Sequence, residues 1–189
     1  SEDRRGSVSG WRLYRVNPET RARTFVTSGT GTSCTFTNDG TWHEVEWQWA
    51  VEYRVTATVN DGTKGSVSAA ETWCARGATA TVTATPAEGY GFTRWTGDID
   101  LSSCVDATIG VTADGPKAIC ANFGKTRYVA TDGNDKTADG TNPATPYKTI
   151  TKAITASGAF DTVSVGPGDF AEVVYIDKQI VVRGAGMAL

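Results

Sequence analysis

Along five stretches of this chain, small or apolar residues alternate with Thr, Arg and Asn: "YRVTATV" (53–59), "ATATVTATP" (78–86), "GFTRW" (91–95), "ATIGVT" (107–112) and "KAICANF" (117–123). A side-chain period of two belongs to a β-strand with one face covered and the other in water. Gly, Pro or Asp bounds each run, so the strands are short and divided by turns. The fold class that follows is mainly β. "VNDGTKG" (59–65) and "TADGPK" (112–117) set Asp-Gly between strands, where glycine can supply the positive φ of a tight turn, and this predicts two hairpins.

The chain also repeats itself. "FTNDGTWHEVEWQWAVEYRV" (36–55) lies over "VTADGPKAICANFGKTRYVA" (111–130), matching Asp39-Gly40 with Asp114-Gly115. After one inserted residue, Val45, Trp47 and Trp49 fall on Ile119, Ala121 and Phe123, and "GWRLY" (10–14) corresponds to "GFTRW" (91–95). Fixed-period self-similarity is the mark of repeat architecture. The first copy lacks a front half, and its Trp47 and Trp49, two apart on one strand, are expected to be core residues of one face.

"GATATVTATPAEGYGFTRWTGDI", then an Asp-Gly turn and "ANF", resembles the bacterial InlB B-type repeat, a small β-grasp-like module strung in tandem along secreted and surface-anchored bacterial proteins. The resemblance implies a partial copy over 1–50 and a complete one over 51–124. It further implies an extracellular or cell-surface location in a bacterium. Cys74, Cys104 and Cys120 depart from the common pattern and suggest a disulfide-stapled variant. Four cysteines allow three full pairings, and spacing does not choose among them. Small secreted modules compensate modest cores with cross-links, so at least one disulfide is expected, with Cys104 as a partner and Cys34 free and buried.

After "GKTR" the idiom changes. "YVATDGNDKTADGTNPATPYKTITKAITASGAFDTVSVGPGDFAEVVYIDKQIVVRGAG" (128–186) resembles the N-terminal entry of a right-handed parallel β-helix of the pectin-lyase-like type. That implies a third region, 125–189, with a short capping helix and the first coils. Pro146 fits the first turn of such a helix with Thr145 as N-cap, and Ile150, Ala153 and Ile154 share one face. "DTVSV", "AEVVYI" and "QIVVRG" read as short strands of a winding solenoid. Solenoid units need about three stacked copies to bury a core, so the chain reads as a segment of a longer protein with an open apolar edge at 179–189, prone to self-association.

Composition narrows the functional classes. A net charge of −3 and pI near 5.2 give no clustered cations for nucleic acid. No apolar run reaches the ~18 residues of a membrane span, and "SEDRRGSVSG" lacks the apolar core of a signal peptide. The sequence contains one histidine, His43, which leaves no Cys/His zinc set and only one possible base for a Ser/His/Asp triad. No phosphate-cradling glycine motif is present, and no cofactor is expected.

Candidate site residues remain. Asp132, Asn134, Asp135 and Asp139 offer oxygen ligands of the kind calcium accepts, in a loop that lacks EF-hand spacing and whose residues suit any polar turn. Asp98 and Asp100 form a carboxylate pair in one loop, whereas glycoside hydrolysis needs two carboxyls facing across a cleft. Trp42 and Trp73, in or beside turns, stay open as contact aromatics for a glycan or surface-protein ligand. The reading that results is non-enzymatic: a repeat stalk leading into a β-helix cap, for adhesion, display or extracellular assembly. The alternative is the N-terminal fragment of a polysaccharide lyase or hydrolase whose catalytic coils lie beyond residue 189.

Overall fold

The computed structural model describes residues 2–100, 102 and 104–185; the "GMAL" that ends the predicted open edge lies outside them. Twelve strands and one helix are formed by these residues: β1 (Arg4–Val16), β2 (Arg23–Thr30), β3 (Trp42–Val59), β4 (Gly65–Val67), β5 (Glu71–Ala75), β6 (Thr79–Pro86), β7 (Gly91–Gly97), β8 (Thr108–Thr112), β9 (Lys117–Gly124), β10 (Thr126–Val129), α1 (Ile150–Ala156), β11 (Thr162–Val165) and β12 (Val181–Gly184). The protein is mainly β, as the alternation requires. The chain divides into two compact units. One holds the N-terminal segment through Val55 with Trp73–Ala80 and Thr112–Pro116; the other holds Thr56–Thr72, Thr81–Val111 and the chain from Lys117 onward.

In the first unit β1 lies between β2 and β3, antiparallel to both. Leu13 is its buried anchor, opposite Val45. Trp11 faces Trp47 directly, and Gly29 leaves room for the Trp11 ring, since a Cβ there would come within 2.5 Å of it. The segments aligned in the two copies make the same kind of pair: "GWRLY" runs antiparallel to 44–48, as "GFTRW" does to 121–124. The register differs by two residues, because Phe92 faces Phe123 whereas Trp11 faces Trp47 rather than Trp49. Trp47 and Trp49 are therefore on one face but not in a core: they are 40% and 67% exposed. Their counterparts Ala121 and Phe123 are fully buried.

In the second unit the tail of β3 runs beside β9, which also pairs antiparallel with β7. Thr56, Thr58 and Asn60 reach the carbonyls of Lys117, Ile119 and Ala121 in the same order along both strands, the arrangement of a parallel pair. A second sheet, β4-β6-β8, lies over them. A Cβ on Gly65 of β4 would meet the Phe123 ring at 2.6 Å, so the sheets touch there without room for a side chain. Between them Val82, Ala84, Trp95, Ile109, Val111, Ile119, Ala121 and Phe123 form the core. The buried Asn122 donates to the Arg94 carbonyl and the Thr96 hydroxyl, bracing the bulge after Phe92. This explains why "ANF" carries an amide between two core residues.

Neither Asp-Gly segment makes a hairpin. "VNDGTKG" leads from β3 to β4 and "TADGPK" from β8 to β9, in each case passing between sheets. Gly62 and Gly115 are not among the glycines with positive φ, whereas Gly40 is, at 82°. Both segments do bend the chain, but neither glycine takes the expected positive φ, and the strands they join lie in different sheets.

The remainder of the second unit is a parallel sheet, β10-β11-β12, with α1 against β10 and β11. Val129, Tyr147, Ala153, Ile154, Val163 and Val165 form its core. Helix α1 starts at Ile150 with Thr149 as N-cap, four residues later than expected, its hydroxyl accepting from the Lys152 N–H at 3.2 Å. Pro146 precedes the helix. "AEVVYI" is not a strand. Glu172 turns back to accept the Ile150 and Thr151 N–H groups at 2.8 and 2.9 Å, and Lys178 Nζ donates to the carbonyls of Ile154, Thr155 and Ser157 at 3.0 Å each. The segment is a strap over both ends of the helix.

Candidate functional site

Three local arrangements bear on function: the junction after Gly124, the acidic loops, and the aromatic groups.

At the junction, β9 ends at Gly124 and β10 begins at Thr126. Gly124 packs so closely on the Phe160–Asp161 peptide that any Cβ would overlap the Phe160 carbonyl. Phe160 adopts a φ of 67°, and its carbonyl accepts the buried Thr93 hydroxyl of β7 at 2.6 Å. Asp161 accepts the Lys125 N–H at 2.7 Å, and the Thr162 N–H returns to the Lys125 carbonyl at 2.8 Å. The four residues "GKTR" are thus tied on both sides.

The loop acids are committed to turns. Asn134 accepts from the N–H groups of Lys136 and Thr137, and Asp135 from those of Lys148 and Thr149 as well as the Thr149 hydroxyl. Burial pushes the Asp135 carboxyl up, but these hydrogen bonds outweigh it and hold the group below its ordinary value. Asp139 is lowered by its hydrogen bonds from the backbone and side chain of Thr141. Asp132 makes no such contact with them. No group of three His, Cys, Asp or Glu among the described residues is placed to hold a metal ion. Asp100 likewise caps a turn, accepting from the Ser102 N–H, whereas Asp98 accepts the Ala118 N–H of β9. His43 is tucked under Phe36 with its Nδ1 against the Thr41 carbonyl at 3.1 Å.

The expected disulfide is absent: all four cysteines are free thiols. Cys120 faces Thr96 across the β7–β9 pair, while the neighbouring Trp95 N–H is taken by the Cys104 carbonyl. Cys104 and Cys120 therefore approach β7 at different points, Cys104 through its carbonyl on Trp95 and Cys120 opposite Thr96. They do flank one turn in sequence, as expected, but that turn crosses between sheets.

The two contact aromatics differ. Trp73 is half-buried and covered by Arg5, whose guanidinium lies 4.5 Å above its ring and is itself paired with Glu52. Trp42 stays 54% exposed, at the mouth of a groove of about 520 Å³ that Val16, Asn17, Pro18 and Thr41 also line. Trp47 and Trp49 join it as exposed aromatics that the repeat alignment had assigned to a core.

With this geometry in hand, comparison with known families separates the same two idioms. Residues 55–127 match a divergent InlB B-repeat domain. Residues 131–176 match a second family model, described as a protein of unknown function (DUF1565). No curated protein and no solved structure matches the chain. The first match spans the two-sheet core with its "ANF" strand, and the second spans the loop, α1 and the strap up to Ile176. No helix of the described residues is long and apolar enough to cross a membrane.

Proposed function

We propose that this chain is a non-enzymatic structural segment of a bacterial secreted or cell-surface protein, in which a β-grasp-like B-repeat serves as a stiff spacer joined to the first turns of a parallel β-helix. The N-terminal strands β1 and β2 with the first part of β3 are then a partial repeat, and the β-helix end displays or assembles. The junction carries this reading: Gly124 against Phe160, Thr93 on the Phe160 carbonyl and Asp161 on the Lys125 N–H leave no hinge between repeat and sheet. A flexible tether would place solvated residues there instead. The parallel β3–β9 pair supports the β-grasp-like assignment, and β10-β11-β12 under α1 supports the β-helix entry.

The exposed side chains of Val173, Tyr175 and Ile176 in the strap and of Val182 on the outermost strand β12 support assembly of this end with a second copy. Asp98 and Asp100 both accept backbone N–H groups, from Ala118 and Ser102, which favours spacing over chemistry.

Trypsin tests the junction directly, since Lys125 and Arg127 are its sites. Resistance there under conditions that cleave the exposed Arg21–Arg23 turn is expected. Early cutting after Lys125 or Arg127, or release of reducing or unsaturated sugars from polysaccharides by the purified chain, would overturn the proposal.

A further inference from the structure

The turn between β1 and β2 carries an arginine in a backbone conformation that favours glycine. Arg21 has a φ of 60°. The turn enforces this: the Asn17 carbonyl accepts the Arg21 N–H at 2.9 Å, the Asn17 N–H donates to Ala22, and Asn17 Oδ1 accepts from Glu19 and Thr20. Strain of this kind is held only where the surroundings impose it, and it concentrates at binding sites. The Arg21 guanidinium lies 5.2 Å from the centroid of the exposed Trp42 ring, and it is Trp42 that lines the groove.

The charges around the groove make Arg21 distinct. Arg15 is neutralised by Asp39 at 2.6 Å, and Arg23 by Glu44 and Glu46 at 3.2 and 2.8 Å. Arg21 has no carboxylate partner among the described residues; its contact is the Trp42 ring. One uncompensated, preorganised guanidinium thus stands beside an exposed indole and a groove large enough for a ring-sized ligand. Gly40, with a φ of 82°, lines the same groove.

We propose that this groove binds an acidic sugar, with a pyranose CH face against the Trp42 indole and a uronate carboxylate on the Arg21 guanidinium. The guanidinium fork matches a carboxylate in two parallel hydrogen bonds, and the indole offers the flat apolar surface that sugar C–H groups cover. The Asn17 and Thr41 side chains at the rim suit ring hydroxyls. A nucleic-acid backbone needs several cations in a row, and here the two flanking arginines are already spent. The inference rests on the surface-protein reading only for where such a glycan would be met.

The test uses the whole chain and tetrasaccharides of galacturonate, glucuronate and mannuronate, followed by calorimetry and tryptophan fluorescence at low salt. At least one oligo-uronate should bind. Its methyl ester and neutral cellotetraose should bind about tenfold more weakly or not at all, because the charge-assisted pair is gone. Arg21→Gly removes the cation and also relieves the backbone, so it should fold normally yet lose about tenfold in affinity; Trp42→Ala should lose as much and Trp42→Phe less. Absence of binding by all three oligo-uronates, equal binding of acid and ester, or unchanged affinity in Arg21→Gly would overturn the proposal. A silent titration on a chain whose junction resists trypsin sinks the groove alone; binding by a chain cut at Lys125 sinks the spacer alone.

Discussion

The Asp161 carboxylate accepts the Lys125 backbone N–H at 2.7 Å across 36 residues of sequence, and its second oxygen accepts the Gly158 N–H at 3.0 Å. Arg127 Nε stands 3.6 Å from the same oxygen, an ion pair too long to count as a hydrogen bond, which is why that Nε has no hydrogen-bond partner. The acid is buried and so is most of Arg127. Removing one member of such a pair strands the other.

Asp161→Ala is therefore expected to cost about 3–5 kcal/mol, and Asp161→Asn, which keeps an acceptor, about 1–3 kcal/mol. Urea unfolding monitored by tryptophan fluorescence measures both. A loss under about 0.5 kcal/mol for Asp161→Ala would show the contact to be incidental.

Helix α1 has seven residues, too few to persist alone. Its ends are held by Glu172 and Lys178 from the strap. Glu172→Ala should cost about 1 kcal/mol, as loss of an N-terminal cap does, and Lys178→Met about as much through three released carbonyls. Hydrogen exchange should speed at 152–156 while the β7–β9 amides stay protected. Equal acceleration in both places would mean that the strap is not a local device.

The strap also marks where sequence reasoning stopped. The five alternating runs became strands almost residue for residue, because period-two burial is written locally. Trp95 and Phe123, in two of those runs, are fully buried. "AEVVYI" has the same pattern, yet Glu172 and Lys178 in and after it find better partners at two helix ends that are separated from them by some twenty residues. The Asp-Gly segments failed for a related reason: a turn residue states that the chain bends, not which sheet it joins. Trp42 was recognisable as a contact residue from its position beside a turn. Arg21 was not, since its role depends on a φ of 60° that nothing in "NPETRAR" announces. Trp47 and Trp49 were misplaced because the copy that aligns with them has a second sheet over its face.

Asp39 provides a titration. The Thr41 hydroxyl and N–H, at 2.5 and 3.1 Å, together with Arg15, hold its carboxyl at about 2, below the ordinary 3.8. A folded value below the unfolded one means that its contribution is complete above about 3.8 and is lost as pH falls through about 2. Carboxyl carbon shifts should report a midpoint near 2 for Asp39, and Thr41→Val should move it upward. A midpoint at the ordinary value in the parent chain would mean that the Asp39–Thr41 turn is open in solution.

The outer strand β12 pairs with β11 on one side and with no described strand on the other. In the strap that precedes it in the chain, Val173 and Tyr175 are 74% and 81% exposed, while Phe170 and Val174 pack on the core around Val129. An unpaired strand beside exposed apolar groups is a template for a further strand, and proteins that keep such edges single usually guard them with charge. Arg183 supplies one charge there, with Val182 exposed next to it. A second copy can cover both the edge and the apolar side chains. Sedimentation equilibrium should show association at concentrations below about 1 mM, the regime of a contact worth about 4 kcal/mol. Val182→Lys and Tyr175→Lys should each weaken it about tenfold, by burying a charge in the interface, without lowering the melting temperature. A monomer at all concentrations up to that limit would show that this edge does not assemble copies of the chain.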